Sequence, residues 1–414
     1  MRILYICGDM GIEAGGRKGA ATHVRETCHA LQAFGHDVLL VAASLGDRSE
    51  LNVPAIEVAP SRSKMLGADL RYLLLNSRMK RELARVITEF KPDVVYERYS
   101  LYQTAGAKLC RKFSLPRILE VNTLLAHEQR HRLRLTPLAR LIEGRLWRGE
   151  KAIICVSTTL KGLMTESAGL DESKMAGFIV SPVAINPDVF HPSVKPVDLS
   201  ALGFGDRKIA GYMGTMTAWH GVDLFFKAAE ILKRGNHSVI IFAVGGEPEK
   251  VEKLRARTRE LGIEKYLHFH GSIPHSEVPS HLAAMDLCLI ADTQDWSSPT
   301  KFFEFAGMEK PVVGARCPAI VEVFGEPDHP AGLLFDRGNA EDMVRCILEI
   351  IANSELGRSL GRRARRRLLN HYSWRCNIRR IMELYRKMGV AAAVDPGPET
   401  GPGLNHTPAE GPLQ

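Results

Sequence analysis

Two doubly wound α/β domains, each built on a parallel sheet and facing the other across a cleft, are the architecture this sequence predicts. Short apolar runs alternate with helical stretches, the pattern of a parallel sheet covered on both faces. The alternation stops at a proline-bearing segment and starts again in the second half. The 414 residues, 45% apolar and 25% charged, suffice for two ordinary cores.

The first strand is expected at 3–7, an unbroken apolar run. A loop carrying Gly8, Gly11, Gly15, Gly16 and Gly19 follows, then a helix with Val24, Cys28 and Leu31 on one face, stopped at Gly35. Further strands are expected at 38–42, 93–96, 117–121, 152–156 and 178–180, with helices between them. The segment 182–196 closes this half, so a first domain is drawn at 1–190 and a linker at 191–205. The second domain, 206–370, has strands expected at 208–213, 239–244, 266–270, 287–291, 311–314 and 333–335. Residues 355–389 read as helical and contain the basic run Arg362 to Arg367. From Ala391 onward nine of 24 residues are Pro or Gly, so 390–414 is expected to be a disordered tail.

The net charge of +8 permits an anionic small ligand, an anionic membrane surface or a nucleic acid. No recognition helix, zinc finger or basic-aromatic sheet motif supports the last, so no nucleic-acid partner is expected. The eight cysteines form no C-x-x-C pair, and Cys7, Cys155 and Cys288 sit in apolar runs. They read as reduced core residues, and a cytoplasmic location follows. The opening apolar run is too short for a signal peptide, and no run of 18 apolar residues occurs. Between Arg130 and Lys151 seven basic and two acidic residues are interleaved with leucines. That composition suggests either a solvated face or peripheral contact with the inner face of a membrane.

Ligands of such sheets bind beyond the carboxyl ends of the strands, so the chemistry belongs in the loops there. The strongest signal is Ser298-Pro299-Thr300-Lys301 followed by Phe302-Phe303-Glu304. Serine is a favoured N-cap and proline a favoured first helical residue, which predicts a helix from here to about Met308. Its free amides make an anion site, Lys301 adds charge suited to a diphosphate, and Glu304, one turn on, suits the hydroxyls of a ribose. Loops with Thr215 and His220, with Gly246, and with Ser272 converge on the same edge. His220 is read either as a phosphate donor or as a structural hydrogen-bonding group. His23, in the first turns of the helix after the Gly8 to Gly19 loop, faces the cleft from the other side, and Glu120, Asn122 and Glu128 follow another strand end there; they are read either as holding acceptor hydroxyls or as loop-capping polar groups. There is no D-x-D sequence and no His, Cys or Asp cluster at metal spacing, so no metal is expected.

These features together resemble the retaining glycosyltransferases of family 4, with the GT-B fold, over about residues 1–388. The Gly15-Gly16 loop with Arg25 to His36 resembles that family's opening pattern. Val156-Ser157 with Pro182 and Pro187 to Phe190, the stretch Ser298 to Val313, and Tyr372-Ser373-Trp374 resemble its later ones. The resemblance implies that Glu304 is the second glutamate of an E-x7-E motif and binds the donor ribose. It implies that Gly16 and Thr300-Lys301 bracket the diphosphate, and that residues 371–389 form a helix crossing back to the first domain. Trp296 stands where the motif has its first glutamate, Thr215 and His220 where the family has Arg and Lys, and Asn122 where it has a histidine. The E-V-N at 120–122 and W-H-G at 219–221 resemble one branch of the family.

The resulting expectation is metal-independent, retaining transfer of a sugar from a nucleotide diphosphate, a UDP-sugar ahead of a GDP-sugar. The acceptor is a glycan, a lipid-linked glycan or a small molecule, in a setting such as polysaccharide biosynthesis. Lys301, His220 and Asn122 are the expected catalytic residues. Glu304, Thr300, Pro299, Ser298, Gly16, Thr215, Gly246 and Ser272 are expected at the donor, and His23, Glu120 and Glu128 on the acceptor side. The alternatives are a non-catalytic nucleotide-sugar-binding or scaffold protein of the same fold and a nucleotide-sugar epimerase.

Overall fold

The computed structural model describes residues 1–391 apart from 17, 62, 64–65, 172–176 and 326–327. The expected tail therefore lies almost wholly outside the described residues. Among the described residues the chain forms two sheets, one per half. The first contains β1 (Arg2–Cys7), β2 (Asp37–Ala42), β3 (Ala55–Glu57), β4 (Val94–Arg98), β5 (Arg117–Val121), β6 (Ile153–Cys155) and β7 (Phe178–Val180). The helices between them are α1 (Gly19–Ala33), α2 (Gly67–Phe90), α3 (Ala105–Lys112), α4 (Leu125–Glu128), α5 (Thr136–Arg148) and α6 (Thr158–Ala168). The second sheet contains β8 (Lys208–Met213), β9 (Val239–Val244), β10 (Leu267–Gly271), β11 (Leu287–Ile290), β12 (Val312–Ala315) and β13 (Leu333–Phe335). Its helices are α7 (Val222–Arg234), α8 (Pro248–Leu261), α9 (Val278–Ala283), α10 (Thr300–Gly307), α11 (Pro318–Phe324), α12 (Ala340–Ala352) and α13 (Ser354–His371), with α14 (Trp374–Lys387) following.

Every strand pairing is parallel, in the orders β3-β2-β1-β4-β5-β6-β7 and β10-β9-β8-β11-β12-β13. Most strands are apolar because helices cover both faces: β1, β9 and β11 are buried nearly end to end, while β4 and β5 bury charged residues as well. Each expected strand is present, displaced by at most two residues. β3 is additional; three residues between Pro54 and Pro60 are too few to show a period, and they sit at the sheet edge. Cys7, Cys155 and Cys288 are buried and unpaired, as expected.

The chain crosses between the halves twice, and the crossings run side by side. On the outward crossing, Ile185 bridges to Ser373, and the Pro182 carbonyl accepts from Asn377 Nδ2 at 2.8 Å. On the return, Ser373 caps α14 by accepting from the Cys376 amide. The buried face of α14, with Ile378, Ile381, Met382, Leu384 and Tyr385, joins the core around β1 and β4 of the first half. Its Tyr385 hydroxyl donates to the Val95 carbonyl at 2.8 Å.

Because α14 completes the core of a domain it is remote from in sequence, trimming it should weaken the first half. Ile381→Ala is expected to cost about 2–4 kcal/mol, from lost burial plus the cavity left. Tyr385→Phe should cost about 1 kcal/mol, from one hydrogen bond. Guanidinium unfolding followed by tryptophan fluorescence and circular dichroism measures both; unchanged midpoints would contradict the assignment.

Candidate active site

β8 and β11 are neighbours at the point where the strand order of the second sheet reverses. A crevice opens at such a point, and the loops after both strands enter it. These are 214–221, leading to α7, and 291–299, leading to α10. Two glycines let the loops close on each other. A Cβ on Gly214, whose φ is 146°, would lie 2.5 Å from Lys301 Cε. One on Gly245, whose φ is 118°, would lie 2.2 Å from the Gly214 carbonyl oxygen.

Lys301, in the first turn of α10, reaches back across the crevice. Its Nζ lies 3.1 Å from His220 Nε2 and over the Tyr212 ring, 5.6 Å from the centroid. The other imidazole nitrogen, Nδ1, is 2.9 Å from the Thr215 carbonyl oxygen. A carbonyl only accepts, so Nδ1 carries the proton and Nε2 receives one from the ammonium. Burial, and then the Lys301 charge, push the His220 pKa down to about 4 against the pull of the Thr215 carbonyl. His220 is thus neutral and orients Lys301; with both nitrogens engaged, it is not free to donate to a phosphate in this arrangement. Burial lowers Lys301 to about 8, opposed by Glu304, and raises Glu304 to about 7, opposed by Lys301. Among the described residues Lys301 forms no ion pair; its polar contact is a neutral ring nitrogen. Beside it the Trp219 indole lies against His220 with ring centroids 3.6 Å apart and is 51% exposed.

The start of α10 departs from expectation. Pro299 is the N-cap and Thr300 the first helical residue, and Ser298 does not cap. Its hydroxyl accepts instead from the Val183 amide at 3.0 Å, in the interdomain crossing. At the start of α10 the Thr300 amide donates to the Ser298 carbonyl at 2.9 Å and the Phe302 amide to the Pro299 carbonyl at 2.8 Å, so only part of its first turn is open to a ligand. Gly246 and Ser272 are joined to each other, the Ser272 hydroxyl donating to the Gly246 carbonyl at the neighbouring strand ends. Arg337, from the loop after β13, grips the 291–299 loop through Asp292, Asp295 and the Thr293 carbonyl.

On the facing domain Gly16 lies in the β1–α1 loop, where Arg25 donates to the Gly16 and Ala14 carbonyls. The Arg25 charge is also felt by His275 in the second domain, so this loop borders the cleft. His23, Glu120 and Asn122 are brought together. Glu120 is 2% exposed and accepts from His23 Nε2 at 2.8 Å, the Tyr96 hydroxyl at 2.6 Å, Arg98 Nη1 at 3.0 Å and Asn122 Nδ2. Burial pushes the Glu120 carboxyl up, but His23, and then Arg98 and Asn122, outweigh it and hold it well below the usual range. The ring of His23 stacks on Trp374, tying this network to α14. Glu128 stands apart, exposed at the end of α4.

Trp296 joins the two walls of the cleft. Its Nε1 donates to Thr123 Oγ1 at 3.1 Å, its ring meets His127 edge-on, and its carbonyl accepts from Ser157 Oγ at 2.7 Å. Nearby, the Glu322 carboxylate of α11 accepts from the amide and hydroxyl of Thr158 at the start of α6. Among the described residues no group of three or more His, Cys, Asp or Glu side chains is placed to hold a metal ion.

Comparison with known proteins follows this division of the chain. The family described as Glycosyltransferase Family 4 matches residues 17–176, and that described as Glycosyl transferases group 1 matches residues 197–367. The chain belongs to the GT-B glycosyltransferase superfamily. Among curated proteins this GT-B chain is 23% identical over 211 residues to the GDP-mannose-dependent alpha-(1-6)-phosphatidylinositol monomannoside mannosyltransferase of Mycolicibacterium smegmatis. That match covers 49% of this chain and spans only about half, 54%, of the mycobacterial protein. An uncharacterized glycosyltransferase of Methanocaldococcus jannaschii is 23% identical over 302 residues, 72% of this chain and 76% of that one. Among solved structures, sucrose-phosphate synthase from Thermosynechococcus elongatus superposes with a TM-score of 0.72 at 17% identity, covering 94% of this chain and 100% of that one. Anabaena HepE in complex with UDP and glucose superposes with a TM-score of 0.70 at 15% identity, covering 94% and 99%. These structural likenesses establish the two-domain GT-B fold.

In this GT-B chain the Glu120 network acts as a unit. Glu120→Ala leaves the Arg98 charge buried without its carboxylate and is expected to cost about 3–5 kcal/mol. Glu120→Gln should cost less, since it keeps part of the hydrogen bonding. Differential scanning calorimetry of the two variants distinguishes this from a surface role, in which neither would change the melting temperature.

Proposed function

We propose that this protein transfers a sugar from a nucleoside diphosphate to an acceptor hydroxyl with retention of configuration and without a metal ion. The observation that carries the reading is the half-buried Lys301 ammonium, held at the topological switch point beside the start of α10 and forming no ion pair among the described residues. A cation kept partly out of water costs free energy that a bound anion recovers. A diphosphate bridging Lys301 and the α10 amides supplies that anion. Glu304, one turn on, is assigned to the ribose hydroxyls. The bond from the anomeric carbon to the phosphate oxygen breaks, and Lys301 stabilises the charge growing on that oxygen. The acceptor hydroxyl attacks from the same face, and its proton passes to the departing phosphate oxygen, so no protein base is assigned.

A UDP-sugar is the first candidate donor, in keeping with the bound UDP of the structurally similar HepE, and a GDP-sugar the second, after the mycobacterial relative. Trp296 places an indole where a glutamate would otherwise meet the donor sugar, so sugar preference is expected to differ from that of E-x7-E enzymes. The acceptor is proposed to enter between Asn122 and Glu128, with His23 and Glu120 holding that wall in shape.

Lys301→Ala is expected to lower kcat by about 100-fold or more, as for loss of a fixed donor to a developing anion. Release of nucleoside diphosphate, assayed with a panel of UDP- and GDP-sugars and acceptors, measures this; near-normal turnover would refute the assignment. Product anomeric configuration by NMR tests retention. With acceptor omitted, an isomerised nucleotide sugar would instead indicate an epimerase. The pH profile gives a second check. Glu304 loses its charge as pH falls below about 7, and Lys301 loses its charge as pH rises above about 8. Hence kcat/KM should be bell-shaped with its maximum between them. Bound diphosphate raises the Lys301 pKa, so the alkaline limb of kcat should lie higher than that of kcat/KM.

A further inference from the structure

The segment from Arg130 to Lys151 holds an excess of positive charge, and folding sharpens it. Both acidic residues turn inward. Glu143 is buried and accepts from the Tyr99 hydroxyl and the Ala126 amide. Glu150 pairs with the buried Arg117. What α5 leaves outside is Leu138, Leu141, Arg140, Arg145 and Arg148, with Arg134 and Leu135 just before it. Leu135, Leu138 and Leu141 are 37–48% exposed, among the most exposed large apolar side chains of the described residues. None of these arginines is ion-paired to a carboxylate among the described residues.

A second helix repeats the pattern. On the outer face of α2, Leu70 and Leu74 are 44% and 40% exposed, and Arg78 and Arg81 follow along the same face. The two helices are joined at their starts. The buried Asp69 carboxylate of α2 accepts from the amides of Arg134 at 2.8 Å and Leu135 at 3.3 Å, and from the Tyr102 hydroxyl. Burial raises the Asp69 pKa, but the Tyr102 hydroxyl and these amides outweigh it and keep the carboxylate charged. Both leucine rows therefore begin at one fixed junction, with arginines beyond them on each helix. The junction lies near the cleft: Tyr72 of α2 donates to Gln129, just past α4, and His127 of α4 meets Trp296.

We propose that this face, Leu70 and Leu74 of α2 with Leu135, Leu138 and Leu141 leading into and along α5, docks on an anionic lipid bilayer. Leucines flanked by unpaired arginines match the two layers of such a surface, acyl chains below and anionic headgroups above. Two copies of this face would set like charges against each other, and a nucleic-acid backbone would leave the leucines in water. Among the described residues no helix is long and apolar enough to cross a membrane, so contact is from the side. Docking here would bring the mouth of the cleft to the lipid surface, where an acceptor carried on a lipid is presented. The proposal stands independently of the donor-site reading, since either can fail alone.

Flotation of the full chain with vesicles tests it. Binding is expected to vesicles of phosphatidylglycerol and phosphatidylcholine in equal parts, to weaken with salt, and to be at least ten-fold weaker to phosphatidylcholine alone. Leu138→Gln/Leu141→Gln and Leu70→Gln/Leu74→Gln should each lower binding at least about ten-fold, and Arg134→Gln and Arg140→Gln about five-fold each. The circular dichroism spectrum and the melting temperature should be unchanged in all four, which shows the variants folded. No binding to anionic vesicles, or binding unaffected by the leucine changes, overturns the proposal. So does light scattering that finds a dimer converted to monomer by those changes with vesicle binding intact.

Discussion

The structure turns on one electrostatic constraint: an ammonium drawn half out of water with no anion bonded to it among the described residues. Lys301 is held there by a neutral imidazole and an aromatic face, and burial pulls its pKa down to about 8 against the opposing charge of Glu304. Such an arrangement persists only if the surrounding fold imposes it. The parallel sheet does so. Its topology delivers the loops after β8 and β11 to one crevice, and Gly214 and Gly245 remove the side chains that would keep them apart. His220, pinned by the Thr215 carbonyl, fixes the direction of the ammonium. Arg337 fixes the loop from which α10 starts. Each of these residues acts on the position of a charge rather than on the stability of the core.

The seam between the domains follows the same logic from the other side. Ser298 spends its hydroxyl on the Val183 amide, so the loop that opens α10 is also the loop that senses the interdomain crossing. Trp296, two residues earlier, bonds the facing domain through Thr123 and Ser157. The donor-side helix and the domain seam are therefore one continuous segment. Any change in the separation of the domains pulls on the start of α10. The two crossings are themselves paired, at Ser181, Pro182, Ile185, Ser373 and Asn377.

What is legible in the sequence follows from what is local. Strands buried on both faces announce themselves as apolar runs, and β3 escapes because three residues show no period. Lys301 and Glu304 are legible because a helix start places them one turn apart whatever surrounds them. The role of His220 is not, because it depends on which partner each ring nitrogen meets, and those partners arrive from 81 residues away and from the loop's own carbonyl. Ser298 looks like a cap by residue type, and only the folded linker shows that Val183 has claimed its oxygen. The partners of Arg98 and Arg337 leave no local pattern. The nearest available signal is an arginine closing the buried strand β4, which predicts a buried carboxylate somewhere without saying which.

Glu120 and Lys301 show how a buried charge that shapes a fold differs from one that awaits a ligand. Glu120 is well satisfied: His23 from α1, Tyr96 and Arg98 from β4 and Asn122 from the loop after β5 converge on its two oxygens, and its pKa is driven toward the charged form. Three of those donors share Oε1 and the Tyr96 hydroxyl holds Oε2, so its place is to hold this wall of the cleft in shape and, through His23 and Trp374, the returning helix. Lys301 is the incomplete one. Its pKa is driven toward the neutral form, and its one polar contact is with a group carrying no charge. Both residues lie at the carboxyl edge of a parallel sheet, facing the same cleft, so position alone does not separate them. The partners do: the Glu120 carboxylate meets the Arg98 guanidinium and three further donors, whereas among the described residues the Lys301 ammonium meets one neutral ring nitrogen, which leaves room for an anion.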